Sequence, residues 1–154
     1  MGIQYLEGDI IANPNKAKAY ALNCNCEGIM NTELSVQFRN RYPQMQQEYK
    51  RLCEANELKP GDVFLWKSRD GMWVFNVATQ DDPFLKLTSR KKLERAFAEM
   101  RKQAEENNIN SIAMPPLGQG VGGLYWGRTR RLLERAFKGW KGTLFVYVKS
   151  PSKN

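Results

Sequence analysis

At 154 residues, with 42% hydrophobic and 26% charged side chains, the chain has the length and balance of one soluble globular domain that buries a core without disulfides or metal. Its longest apolar runs, such as "YALNC" and "TLFVYV", are far too short to span a bilayer, and "MGIQYLEGD" carries neither the basic nor the apolar region of a secretory leader, so a cytoplasmic protein is expected. A net charge of +8 points to an anionic partner, whether nucleic acid, nucleotide, phosphate-rich substrate or acidic protein surface, or else to solvated helix faces.

From the N-terminus, "IQYLEGD" and "AYALNCN" read as strands, and the second, nearly all apolar, belongs in the middle of a sheet covered on both faces. The next stretch, "ELSVQFRNRY", spaces Leu34, Phe38 and Tyr42 four apart and meets Pro43, which predicts an amphipathic helix ending there. A second helix is predicted over "QMQQEYKRLCEANEL", closed by "KPGD". The segments "DVFLWKS" and "MWVFNVA" are joined by "RDG", whose Asp-Gly supplies the positive φ of a tight hairpin turn. The longest helix runs through "TSRKKLERAFAEMRKQAEENN", with Thr88 or Ser89 as its cap. A short buried strand in "SIAMPPL" then leads into a glycine loop, a helix from Gly127 to Lys138 and a last strand, "TLFVYV", leaving 149–154 as a frayed tail. The order ββααββαβαβ is that of an α/β domain whose sheet must be mixed.

Cys24, Cys26 and Cys53 cannot all pair, and a Cys-x-Cys in a chain without histidine is a poor zinc site. Free thiols at the end of a buried strand are expected, with no metal and no cofactor. The absence of histidine also excludes every Ser-His and Cys-His catalytic arrangement.

Three places suggest a ligand. In "GDI", Asp9 can accept a hydrogen bond from an exocyclic amine, or simply shape a turn. In "PPLGQGVGGLYW", four glycines within six residues, between a strand and a helix, let backbone N–H groups wrap an anion at the helix's positive end. That loop matches neither G-x-x-x-x-G-K-[ST] nor a G-x-G-x-x-G followed by its acid, which disfavours Walker-type NTPases and dinucleotide dehydrogenases. Third, Asn25 and the loop through Glu33 lie where an apolar strand meets a helix start. Ligands of open α/β sheets bind outside the strand carboxyl ends, so all three can border one crevice.

Together, "GDI", "NCNCEGIM", "QFRNRYP", "GDVFLW", "VFNVATQ" and "IAMPPLGQGVGGLYW" resemble a macrodomain of the ADP-ribose-1''-phosphate-processing branch. That branch is akin to the macrodomains of the DNA ADP-ribosylation antitoxin and of the terminal ADP-ribose glycohydrolases. The resemblance covers about residues 3–148 and implies a three-layer α/β/α domain with a central mixed sheet, binding ADP-ribose in a crevice. By position it gives the adenine to Asp9 and Ile10, flanked by Tyr147, and the distal ribose to Asn25, with Thr79 nearby. Two loops, residues 28–33 and 118–123, would surround the diphosphate, and the ligand-binding residues implied in and beside them are Gly28, Ile29, Met30 and Asn31 for the first, and Pro116, Leu117, Gly118, Gln119, Gly120, Val121, Gly122, Gly123 and Leu124 for the second.

The departures from the family pattern bear on catalysis. Where relatives have small residues and glycines after the methionine, this chain has Asn31, Thr32 and Glu33; the carboxylate either acts on a water or stabilises the helix start. Where the antitoxin-like relatives use a lysine, Gln80 stands, and the acid of the glycohydrolases' second loop is replaced by Gly122. The expected function is hydrolysis at the distal ribose of an ADP-ribosyl group on nucleic acid or protein, or of ADP-ribose-1''-phosphate. Asn25 would orient the ribose, Glu33 or Asp81 would serve as base, and Gln80 would take the lysine's place. The alternatives are a reader or sequestering module for ADP-ribose without turnover, and a protein-interaction part without a ligand. A monomer is expected, with a nucleic-acid-linked substrate preferred because of the charge.

Overall fold

The computed structural model describes residues 2–80, 90–118 and 125–148. Among them six strands and four helices follow in the expected order: β1 (Gly2–Leu6), β2 (Ala19–Asn25), α1 (Glu33–Arg41), α2 (Pro43–Glu54), β3 (Val63–Lys67), β4 (Trp73–Gln80), α3 (Arg90–Glu106), β5 (Ser111–Met114), α4 (Trp126–Ala136) and β6 (Thr143–Tyr147). They form one sheet in the order β1-β6-β5-β2-β4-β3. All neighbours are parallel except the β3–β4 hairpin, so the sheet is mixed as the element order requires.

The alternation of side chains along β2 divides the interior in two. Ala19 and Ala21 face a core built with Leu93, Phe97 and Met100 of α3 and Leu132 and Leu133 of α4. Tyr20, Leu22 and Cys24 face the other, built with Phe38 of α1 and Met45, Tyr49 and Cys53 of α2. This gives three layers, helices on both faces of the sheet, and explains why β2 is apolar on both sides.

Local chemistry sets the boundaries. Thr32 caps α1, its Oγ1 accepting from Ser35 N–H at 3.1 Å, while Ser35 Oγ accepts the Thr32 N–H at 2.9 Å in a reciprocal capping box. Pro43 ends α1 and opens α2, where its missing N–H costs nothing. α2 stops at Glu54, earlier than the apolar pattern suggests, because Asn56 turns to a φ of 57° and Leu58 is buried from the loop instead. Similarly β1 ends at Leu6 rather than running through Asp9, since Gly8 takes a φ of 141°. In the hairpin turn Gly71 has a φ of 92°, as the Asp-Gly pair predicts. The candidate caps Thr88 and Ser89, and the tail after Val148, lie outside the described residues. No helix among the described residues is long and apolar enough to cross a membrane.

Five strands point the same way, so the chain leaves β1, β2, β4, β5 and β6 along one rim of the sheet. That rim is where an open α/β sheet offers a ligand site.

Candidate functional site

At the end of β2 the ladder with β4 slips: Cys24 lies opposite Ala78, but Asn25 lies opposite Gln80. The irregularity brings Asn25 level with Gln80 and leaves Thr79, fully buried, without a counterpart on β2. Asn25, only 6% exposed, is held from several directions. Its Oδ1 accepts from the N–H groups of Glu27 at 3.0 Å and Ile29 at 3.3 Å, and its Nδ2 donates to Ile29 O at 2.7 Å. The buried Tyr49 hydroxyl comes up from α2, 2.7 Å from the Asn25 carbonyl oxygen and 2.9 Å from Oδ1. With Oδ1 so occupied, the amide can offer a ligand only its second Nδ2–H.

This network fixes the first loop. Gly28, at a φ of 82°, passes so close to α2 that a Cβ would sit 3.4 Å from Lys50 Cα. Met30 is buried, its carbonyl accepting from Arg39 at 3.3 Å, while Ile29 and Asn31 are exposed. Cys24 and Cys53, under the loop, form no disulfide. Burial pushes the Cys24 thiol well above its ordinary value, and burial likewise raises Cys53 and the Tyr49 phenol, so all three stay protonated near neutrality.

The second loop is tied to β2 by a residue the sequence reading passed over. Asn23 Oδ1 accepts from Gly118 N–H at 2.8 Å and from Thr79 Oγ1–H at 3.2 Å, and its Nδ2 lies 3.5 Å from Pro116 O. Gly118 needs to be glycine: its φ is 79°, and a Cβ would fall 2.8 Å from Leu93 Cδ2. Leu117 beside it is fully buried and Pro116 half-buried. The only signal for Asn23 in the sequence is its own oddness, a polar residue inside an apolar strand, two before Asn25.

Asn23, Cys24, Asn25, Ile29, Met30, Asn31, Thr32, Ser35 and Gln80 enclose a cavity of about 80 Å³. No carboxylate is among these lining residues. Glu33 is exposed in the first turn of α1, where a negative charge favours the helix dipole, and it does not line the cavity. At the other end of the rim, Asp9 Oδ1 accepts from Ile11 N–H at 3.0 Å in a local turn. Ile10 and Tyr147 are buried in the same cluster, and Gly8 lies against the Tyr147 ring, where a Cβ would be 3.7 Å from Cε1. Burial raises the Tyr147 phenol. Gln119, Gly120, Val121, Gly122, Gly123 and Leu124, with Asp81, lie outside the described residues. A larger cavity, about 520 Å³, lies elsewhere, along the β3 edge against α3, between Phe64, Asp62, Arg95 and Gln103. It shares no residue with the rim, and size alone does not make it the site.

A family model described as the Macro domain matches residues 22–133. The chain is 30% identical over 139 residues to the DNA ADP-ribosyl glycohydrolase of Mycobacterium tuberculosis, covering 88% of this chain and 39% of that protein. It is 24% identical over 147 residues to human ADP-ribose glycohydrolase OARD1, covering 95% of this chain and 91% of that one. The chain thus spans about two fifths of the length of the DNA ADP-ribosyl glycohydrolases it matches. The solved macrodomain of Mycobacterium tuberculosis DarG superposes with a TM-score of 0.86 at 28% identity, covering 97% of this chain and all of that one. The three-layer fold, the first loop and Gly118 gathered at the carboxyl rim, and the family match over 22–133 agree, and the chain belongs to the Macro domain family.

Proposed function

We propose that the chain, as a single monomeric domain in the cytoplasm, binds ADP-ribose along the carboxyl rim and hydrolyses an ADP-ribosyl linkage at the distal ribose. The observation that carries this reading is the coupling of Asn25, Gln80 and Asn23 around one small cavity, with a glycine-bearing loop tied to each side. Adenine would lie by Asp9, Ile10 and Tyr147. The diphosphate would lie between Gly28–Asn31 and the glycine-rich segment that follows Gly118, whose composition would let backbone N–H groups approach an anion. The free Nδ2–H of Asn25 would donate to a distal-ribose hydroxyl, orienting the anomeric carbon for attack by water while the leaving group departs from the opposite face. The names of the relatives, which act on ADP-ribosyl groups of DNA and on ADP-ribose, support this substrate class. The charge of +8 favours a substrate linked to nucleic acid over a free metabolite.

The second reading, a reader without turnover, is favoured by one observation, that no carboxylate lines the cavity among the described residues, and by the family resemblance, which implies a lysine where this chain has Gln80. Calorimetry with ADP-ribose tests both readings, since no heat at millimolar ligand removes them together. A turnover assay on ADP-ribosylated single-stranded DNA and on ADP-ribose-1''-phosphate then separates them. Release of product that disappears in Asn25→Ala supports the hydrolase; binding without product leaves the reader.

A further inference from the structure

The outer face of α4 carries a row of cations, of which only Arg135, in the last turn, complements the helix dipole. Leu132 and Leu133 bury the inner face, and Thr129 is buried with them. Outward, Arg128, Arg131 and Arg135 follow at intervals of three and four, one stripe along the helix, continued by Lys138. All are exposed, and among the described residues none of the three arginines makes an ion pair. The first turn carries Arg128 and no acid, opposite to what the helix dipole favours. The nearby acid, Glu134, is turned to β1: it accepts from the Tyr5 hydroxyl at 2.7 Å and lies 3.8 Å from Arg130.

At the head of the stripe stands Tyr125, the last residue before α4 and the first described residue after the glycine loop. It is 68% exposed, against 36% for Tyr5 and 40% for Ile29. Its position is nevertheless built. A Cβ on Gly127 would come within 2.7 Å of Tyr125 Cε2 and 3.2 Å of Cδ2, so the ring rests on the bare glycine with its other side open to solvent. An aromatic ring held on one face and open on the other, followed by a row of unpaired arginines, is what a single-stranded polynucleotide recognises: bases stack on the ring and phosphates lie along the cations. At 1.5 Å rise per residue, Tyr125 to Arg135 covers about 15 Å, roughly four nucleotides of one strand.

We propose that this face of α4 is a track for single-stranded nucleic acid, with Tyr125 stacking a base next to the one whose ADP-ribose enters the crevice. The inference rests on the ADP-ribose-binding reading and deepens it by assigning the surface that holds the rest of the substrate. A duplex would not serve, because its paired bases present no free face to the ring.

The test is fluorescence anisotropy with a labelled, unmodified single-stranded 12-nucleotide probe (~12, about three times the track's span), its duplex and a Glu-rich peptide, at low and moderate salt. The single strand is expected to bind best. Tyr125→Ala should weaken it by about tenfold without changing the salt dependence, and Tyr125→Trp should stay within about twofold of the parent. Arg128→Gln with Arg131→Gln should flatten the slope of log affinity against log salt by about 1.4. Gly127→Ala, which displaces the ring, should resemble Tyr125→Ala although the tyrosine remains. Calorimetry with ADP-ribose should give parental affinity in every variant, so failure of the ligand site and failure of the track are read separately. Parental strand binding by Tyr125→Ala, or equal binding of strand, duplex and acidic peptide, would overturn the assignment.

Discussion

Asn25 holds the first loop and, in the proposed reading, also presents one N–H to the ligand, and Asn25→Ala separates the two by magnitude. The substitution leaves the Glu27 and Ile29 N–H groups and the Ile29 carbonyl without their partner, while the Tyr49 hydroxyl keeps its 2.7 Å bond to the Asn25 main chain. Three lost hydrogen bonds, partly replaced by water in a half-buried loop, cost about 1.5–4 kcal/mol. For a domain of this size that lowers the melting temperature by roughly 5–12 °C, readable by calorimetry or circular dichroism. ADP-ribose affinity should fall as well, through both the lost donor and the loosened loop. Asn25→Asp provides the internal comparison: it keeps the acceptor for Glu27 and Ile29 but opposes two oxygens at the Ile29 carbonyl, 2.7 Å away, so it should melt between parent and alanine variant. If Asn25→Ala melts like the parent while affinity collapses, Asn25 is a ligand contact alone and the loop-holding argument is wrong.

Asn23→Ala releases Gly118 and Thr79 from β2, and ligands containing a diphosphate should bind about tenfold more weakly, because of the two neutral hydrogen bonds lost only the one to Gly118 N–H holds the loop. Adenosine, followed by ligand-observed NMR, should be unaffected, and an equal loss for both would mean a general loss of the fold. Glu33→Gly should leave turnover within about threefold while lowering stability by roughly 1 kcal/mol through the helix start; a hundredfold loss (~100) would make the carboxylate a general base after all. The Cys24 thiol and the Tyr49 phenol are raised by burial above their ordinary 9.0 and 10.0, so the folded state holds their protons more tightly than the unfolded chain. Their stabilisation is complete below those ordinary values and is lost as pH rises through and beyond them. Urea midpoints should therefore drop above about pH 9, and Cys24→Ala should flatten the drop.

Much of this fold is legible in the sequence because the signals are local. The bounds of β2 coincide with its apolar run, Pro43 separates two helices, and Asp70-Gly71 makes the hairpin. The element order alone requires a mixed sheet. The site is less legible, because it depends on register and reach. Nothing in "VFNVATQ" says that the ladder slips at its end and brings Gln80 level with Asn25. Tyr49 shows in the sequence only as one apolar position of α2, with no sign that its hydroxyl reaches the end of β2. The capping of α1 is carried by Thr32 and Ser35, a pairing that the conspicuous Glu33 hides. Asn23 stands next to Cys24 in plain view, yet its partners are 56 and 95 residues away.

The position of β2 in the sheet also bears on how the protein acquires its shape. β3 and β4 meet across a short turn and can pair early, but β2 lies between β4 and β5, both made later in the chain. During synthesis the strand bearing Asn23 and Asn25 emerges almost entirely apolar and unpaired on this side of the sheet, gains β4 along one edge, and keeps its other edge open until α3 has been made and β5 follows. A nascent chain arrested before β5 should therefore expose this strand to chaperones, and competence for nucleotide should arise only once β5 has emerged to close β2's other side.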